Sequence, residues 1–154
     1  MDKDTFSAGA EACTGLLYRV AYTILRNDAD CQDAVQEALL KAWAGREKLQ
    51  NVQFFRTWLT RILINTCHDT LRKNRRVVSL DEVPEQGQEF PDPVLSDALE
   101  RLPEKFRLPL MLCYSENMSY EEIGKALHLP VTTVQSRLRR GKIQLRKELE
   151  DHEK

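Results

Sequence analysis

The chain has 154 residues, 42% hydrophobic and 31% charged, with a formal net charge of −1, and this length suits one domain or two small ones. It contains no apolar run long enough to cross a bilayer and no secretory or lipidation signal, so we expect a cytoplasmic protein without membrane insertion. Cysteines and histidines without zinc-type spacing, and the lack of a phosphate loop or nucleophile elbow, predict no metal, no cofactor and no enzymatic activity.

The first part of the chain predicts three helices. An apolar stripe at helical spacing begins at Leu16. Asn27 supplies a turn and a cap before a second helix over about 29–44, in which small apolar residues face inward while acids and amides face out. A third helix is predicted over 54–73. We therefore assign residues 1–76 to a small all-α domain.

The third helix begins with aromatic residues and carries cations on its polar side. Phe54, Phe55 and Trp58 are followed by Arg61 and, one turn after Arg61, by Asn65 and then further bases. Aromatic rings beside cations form a platform for unstacked bases in proteins that bind single strands. The alternative is that the rings are ordinary core residues, which we expect for at least one of them.

Charge is unevenly distributed along the chain. Residues 51–76 hold six bases against one acid, a net +5, whereas residues 77–100 hold seven acids and no base, a net −7. Residues 135–147 hold six bases and no acid, a net +6. Two basic segments separated by an acidic one predict two contacts with a polyanion. Residues 77–93 also contain three prolines and a glycine, which indicates a flexible linker before a second helical domain over 94–154.

The strongest single signal is a helix-turn-helix pattern over 120–147. Ser119 is the predicted N-cap of its first helix, and Pro130 suits the first turn of its second helix but not the interior of the first. Gly124 allows the two helices to approach closely, and Val134 begins the buried stripe of the second. The other faces of that second helix hold Thr132, Thr133, Gln135, Ser136, Arg137, Arg139, Arg140 and Lys142. These residue types contact phosphates and base edges, so the pattern points to DNA.

The order of these motifs resembles the extracytoplasmic-function (ECF) sigma factors of bacterial RNA polymerase. The resemblance is carried by the helix-turn-helix and by Asn27–Ala38, Phe55–Leu59, Asn65, Asp69 and Arg72. It covers nearly the whole chain. It implies a transcription-initiation factor whose first domain is sigma region 2, whose second domain is sigma region 4, and whose linker is acidic.

In such factors the second helix of region 2 docks on the clamp helices of the polymerase β′ subunit. The matching residues here are Asp30, Asp33, Gln36, Glu37, Leu40 and Trp43. Residues 54–76 resemble the part that opens and reads the −10 promoter element, where unstacking a base costs roughly a few kcal/mol. The implied DNA contacts in that part are Trp58, Arg61, Asn65, Arg72, Lys73, Arg75 and Arg76.

The helix-turn-helix resembles the module that reads the −35 element as duplex in the major groove. The resemblance implies base edges or adjacent phosphates for Gln135, Ser136, Arg139 and Arg140, and mainly backbone contacts for Thr132, Thr133, Arg137 and Lys142. The resemblance also implies that the helices before the motif help present a surface to the polymerase β flap. Many family members have Gly at the position of Thr132, a base at Gln135 and Ala at Gly141. The −35 sequence is therefore not transferable, because Gln prefers adenine edges.

The resemblance also implies an anti-sigma factor as a partner, with the chemistry left to the polymerase. An alternative from another class is a free-standing regulator that binds duplex DNA as a dimer through 120–147. Such a regulator would have no use for the aromatic and basic segment over 54–76. The sequence therefore predicts an ECF-type sigma factor.

Overall fold

The computed structural model of the chain describes residues 1–76 and 93–152, and all regular structure within these ranges is helical. The helices are α1 (Lys3–Leu25), α2 (Asp28–Ala44), α3 (Phe55–Arg76), α4 (Pro93–Glu100), α5 (Glu104–Leu110), α6 (Tyr120–Leu127) and α7 (Val131–His152). The predicted all-α class is confirmed. The predicted linker lies, apart from Pro93, outside the described residues.

The N-terminal half packs α1, α2 and α3 around one core. Asp2 caps α1 by accepting a hydrogen bond from the Thr5 amide at 2.7 Å, and Asn27 caps α2 by accepting one from the Asp30 amide at 2.8 Å. Leu17 and Leu63 are among the fully buried side chains between these helices. Local caps thus set where the helices begin, and the apolar stripes determine how they pack.

The C-terminal half contains the helix-turn-helix as α6 and α7. Ser119 and Glu122 form a capping box, with the Ser119 hydroxyl and the Glu122 carboxylate each accepting the other residue's backbone N–H at 3.1 Å. Gly124 packs close to the turn, because an added Cβ would lie 2.8 Å from the carbonyl oxygen of Leu129. Val134 is buried as predicted, and Leu138, one turn later, is buried as well.

The two halves pack against each other, chiefly through α3 against α6 and α1 against α5. Arg19 makes a two-pronged ion pair with the buried Glu116, at 2.5 and 2.9 Å. His68 Nε2 lies 3.0 Å from a carboxylate oxygen of Glu104. These contacts join residues more than thirty positions apart, and no local sequence pattern predicts them.

Candidate nucleic-acid interface

A shallow pocket of about 280 Å³ lies between α2 and α3. Trp58, Asn65 and Thr66 line it from α3, while Lys41 and Lys48 line it from α2 and the turn that follows. Lys41 Nζ donates to the Thr66 hydroxyl at 3.3 Å, which holds the ammonium at the pocket edge. An indole, a primary amide and two ammonium groups in one pocket can stack on a base, hydrogen-bond its edge and hold a phosphate.

The aromatic residues at the start of α3 have different environments. Phe55 is 7% exposed and meets the Phe6 ring edge-on at 5.7 Å between centroids, so for this residue the core interpretation is correct. Trp58 is half-buried at the pocket. Phe54 is 43% exposed, and the ammonium of Lys125 on α6 lies 4.1 Å from its ring centroid. Of the three rings, Phe54 and Trp58 therefore remain accessible at the surface.

The predicted phosphate-binding cations of α3 are only partly available. Arg61 donates to the backbone carbonyl of Lys125 on α6 at 3.5 Å. Arg72 forms an ion pair with Asp69 one turn earlier, while Lys73 is exposed. Arg75 and Arg76 belong to the last turn of α3, but their side chains lie outside the described residues.

A second groove, of about 370 Å³, lies between the start of α5 and α7. The predicted DNA-contacting residues that line it are Thr132, Thr133, Ser136, Arg137 and Arg140. Lys105 and Phe106 of α5 form its other side. Gln135 and Arg139 are exposed on α7 without lining this groove. Most of the predicted −35 residues therefore share one continuous surface of the helix.

Lys142 is placed differently from the other predicted residues of α7. Its ammonium lies 5.1 Å from the centroid of the Tyr114 ring, and the side chain lines a cavity between the two halves rather than the groove beside α5. The geometry therefore gives less support to a DNA contact for Lys142 than for Arg140.

The outer face of α2 carries most of the predicted polymerase-docking residues. Asp33, Gln36 and Glu37 are exposed, and Leu40 is 71% exposed among them. Asp30 is instead half-buried and accepts hydrogen bonds from the side-chain amides of Asn27 and Asn74. Trp43 packs edge-on against Phe6 at 5.2 Å, so it supports the core rather than the outer face.

Sequence reasoning missed three basic residues at these surfaces. Lys41 and Lys48 join the α2–α3 pocket, and Lys105 joins the α5–α7 groove. Lys41 follows Glu37 by one turn and pairs with it at 3.3 Å, so its sequence signature is that of a solvated helix face. These lysines lie beside the predicted DNA-contacting residues only because separate helices pack together.

Ionisation reinforces the contacts between the two halves. The hydrogen bond to Glu104 raises the pKa of His68 above its ordinary 6.5, and the same bond lowers the pKa of Glu104 below 4.5. Burial alone would raise the pKa of Glu122, but the Ser119 amide and Arg56, whose Nη2 lies 3.3 Å away, bring it below its ordinary value. These carboxylates are therefore charged at neutral pH, and they face His68 and Arg56 of the N-terminal half.

Cys31 and Cys67 are free cysteines of the N-terminal half. Both are buried, and burial raises the pKa of each thiol to about 12, so neither is a thiolate at neutral pH. Within residues 1–76 and 93–152, no group of three or more His, Cys, Asp or Glu side chains is arranged to hold a metal ion. None of the helices in those ranges has the length and hydropathy needed to span a bilayer.

The fold and the two surfaces define an all-helical DNA-binding protein with a helix-turn-helix in one half and a basic, aromatic pocket in the other. Residues 10–77 match the family model for sigma-70 region 2, and residues 94–145 match that for sigma-70 region 4. ECF RNA polymerase sigma factor SigW of Bacillus subtilis (strain 168) is 30% identical, over 97% of this chain and 91% of the relative. RNA polymerase sigma factor SigV of the same strain is 33% identical over 85% of each chain. The chain belongs to the ECF family of RNA polymerase sigma factors.

Solved structures show the same fold. The sigma factor RpoE of Bartonella quintana, in complex with the anti-sigma factor NepR, superposes with a TM-score of 0.79 at 25% identity, over 97% of this chain and 98% of that one. CnrH, in complex with the cytosolic domain of CnrY, superposes with a TM-score of 0.73 at 22% identity, over 97% and 90%. The family membership favours promoter-directed transcription initiation over the free-standing regulator.

Proposed function

We propose that this sigma factor reads the −10 element as an opened strand in the pocket between α2 and α3. The observation that supports this is the meeting of Trp58 and Asn65 with Lys41 and Lys48 around a cavity of about 280 Å³. A flipped base would stack on the indole and hydrogen-bond the amide, while the lysines hold the adjoining phosphates. Arg61, Arg72 and Lys73 would extend the phosphate contacts along α3.

The −35 element is read as duplex by the exposed side of α7. Thr132, Ser136 and Arg140 lie together along the groove beside α5, and Gln135 and Arg139 extend the exposed surface next to it. Arginine suits guanine edges and glutamine suits adenine edges, so this surface can combine base recognition with phosphate contacts. The first helix of the motif, α6, then crosses the DNA backbone as in other helix-turn-helix proteins.

The outer face of α2 docks on the core polymerase. Asp33, Gln36, Glu37 and Leu40 present acidic and amide groups around one exposed leucine, which suits a basic partner helix with an apolar contact at its centre. The polymerase supplies the chemistry. An anti-sigma factor is a further proposed partner, supported by the similarity to RpoE in its complex with NepR. The cytoplasm, where core polymerase acts, is the proposed location.

Two alanine variants test which surface of the chain recognises which promoter element. Reconstituted holoenzyme containing Asn65→Ala should lose sequence preference within the −10 element, whereas Arg140→Ala should lose about 1–3 kcal/mol of preference within the −35 element. The measurement is competitive promoter binding against libraries randomised at one element at a time.

Each variant has a matched control on its own helix. Asn74→Ala replaces an exposed asparagine of α3 that donates to Asp30 and does not line the α2–α3 pocket. Arg146→Ala replaces an exposed arginine of α7 outside the α5–α7 groove. Both controls should retain the wild-type preferences. If Asn65→Ala matches Asn74→Ala at every −10 position, the pocket is not the −10 reader. A uniform loss over all −35 sequences would make Arg140 a phosphate contact only.

A further inference from the structure

A cavity in the described part of the chain lies between the two halves, away from both proposed DNA surfaces. It measures about 460 Å³ and sits where the C-terminal end of α1 meets α4, α5 and α7. Tyr22 and Thr23 of the N-terminal half face Leu99, Leu110 and Leu145 of the C-terminal half across it. Its volume and its position between domains are typical of small-molecule sites, which are commonly about 300–1,000 Å³.

The wall of this cavity carries an excess of positive charge. Among the described residues, three cations line it, Arg26, Arg107 and Lys142, against one carboxylate, that of Glu100, which leaves two positive charges in excess. Glu100 is already paired with Arg26 at 3.6 Å. A molecule that fills an apolar cavity with such a wall gains from carrying a negative charge itself.

Of these three cations, Arg107 is the one that an anionic ligand would stabilise most. Its Nε and Nη2 donate to the carbonyl oxygen of Thr23 at 3.2 and 2.9 Å, and its Nη1 donates to that of Leu102 at 2.8 Å. The Glu104 carboxylate attracts the Arg107 guanidinium electrostatically, but its hydrogen bond is to His68. A half-buried guanidinium whose hydrogen bonds go to neutral carbonyls is incompletely compensated, and a nearby carboxylate would stabilise it.

We propose that this cavity binds an anionic amphiphile, an unbranched acyl chain that ends in a carboxylate. The chain lies among Leu99, Leu110 and Leu145, and the carboxylate lies beside Arg107 and Arg26. Because the walls come from both halves, the ligand binds only when the halves are packed together, and it therefore favours that arrangement. The site does not depend on which residues read the promoter.

Titration calorimetry of the full chain with decanoate, below its micelle concentration, tests the proposal. We expect saturable binding at one site and at least tenfold weaker binding of decan-1-ol, which has the same chain without the charge. Ser96→Trp places an indole in the cavity from α4 and should weaken decanoate binding at least tenfold. Ser7→Trp places the same indole on the exposed surface of α1 and should bind as the wild type does.

Methionine-methyl NMR of the wild-type chain locates the bound molecule without any substitution. Met111 lines the cavity and Met118 does not, so decanoate should shift the Met111 methyl signal and leave that of Met118 unchanged. Equal affinity for decanoate and decan-1-ol, equal binding by the two tryptophan variants, or an unshifted Met111 signal would each overturn the proposal.

Discussion

Single side chains on facing helices hold the two halves of this sigma factor together. His68 of α3 and Glu104 at the start of α5 illustrate this, because each side chain shifts the pKa of the other in the direction that keeps both charged. Both side chains remain about one-third exposed, so water screens the pair and its contribution is at most about 1 kcal/mol.

The pH dependence of this pair follows from the two shifts. The pKa of His68 is raised, so its contribution is complete below about pH 6.5 and is lost as the pH rises through the raised value. The pKa of Glu104 is lowered, so its contribution is complete above about pH 4.5 and is lost as the pH falls through the lowered value. NMR titration of the His68 ring should therefore give a pKa above 6.5 in the native chain.

A double-mutant cycle separates the pair from other titrating groups. His68→Gln and Glu104→Gln should each remove this component of the pH dependence of the unfolding free energy, and combining them should remove no more. An ordinary His68 pKa in the folded chain, or additive effects of the two substitutions, would show that the contact does not couple the halves.

Helices whose boundaries are set by neighbouring residues were predictable from the sequence. The Ser119 cap, the break before Pro130 and the Asn27 cap all act within three or four residues, and each lies where the pattern predicted it. The third helix was predicted to begin at residue 54, but α3 begins at Phe55, because a short 3₁₀ turn over Val52–Phe54 precedes it. Lys41, Lys105 and the Arg19–Glu116 pair were not predictable, since their partners come from helices distant in sequence.

The turn of the helix-turn-helix depends on a glycine at α6. An alanine at Gly124 would place its Cβ 2.8 Å from the Leu129 carbonyl oxygen, a backbone atom that cannot move without displacing the turn. Gly124→Ala should therefore lower the unfolding free energy by about 1–3 kcal/mol despite the better helix propensity of alanine. Urea denaturation measures this. Glu121→Ala, an exposed change on the same helix, should stay within about 0.5 kcal/mol of wild type.

The packed arrangement of the whole molecule is too small to contact both promoter elements at once. A compact chain of this length has a radius of gyration of about 15 Å. Positions −10 and −35 are separated by about 25 base pairs, or roughly 85 Å of duplex at about 3.4 Å per base pair. The contact between α3 and α6 also engages Arg61 and Phe54 at the edge of the proposed −10 surface. If the two surfaces read the elements as proposed, the halves must therefore separate before both elements are bound.

Removing an ion pair between the halves should favour the open arrangement. Arg19→Ala leaves the buried Glu116 carboxylate without its guanidinium partner, which should cost roughly 1–3 kcal/mol of the packing free energy. Small-angle X-ray scattering should then give a radius of gyration larger than that of the wild type. Arg101→Ala breaks an ion pair with Glu148 inside the C-terminal half and serves as the control. Identical scattering from both variants would mean that Arg19 does not hold the halves together.

The central proposal is that one surface of this chain recognises the −10 element and another recognises the −35 element. Transcription from a randomised promoter library with purified core RNA polymerase tests it most directly. We expect new transcription starts only when the chain is added, with promoters that share two spaced motifs, and we expect Asn65→Ala and Arg140→Ala to relax one motif each. Tight binding of the chain alone to duplex DNA, with no stimulation of the polymerase, would contradict this account.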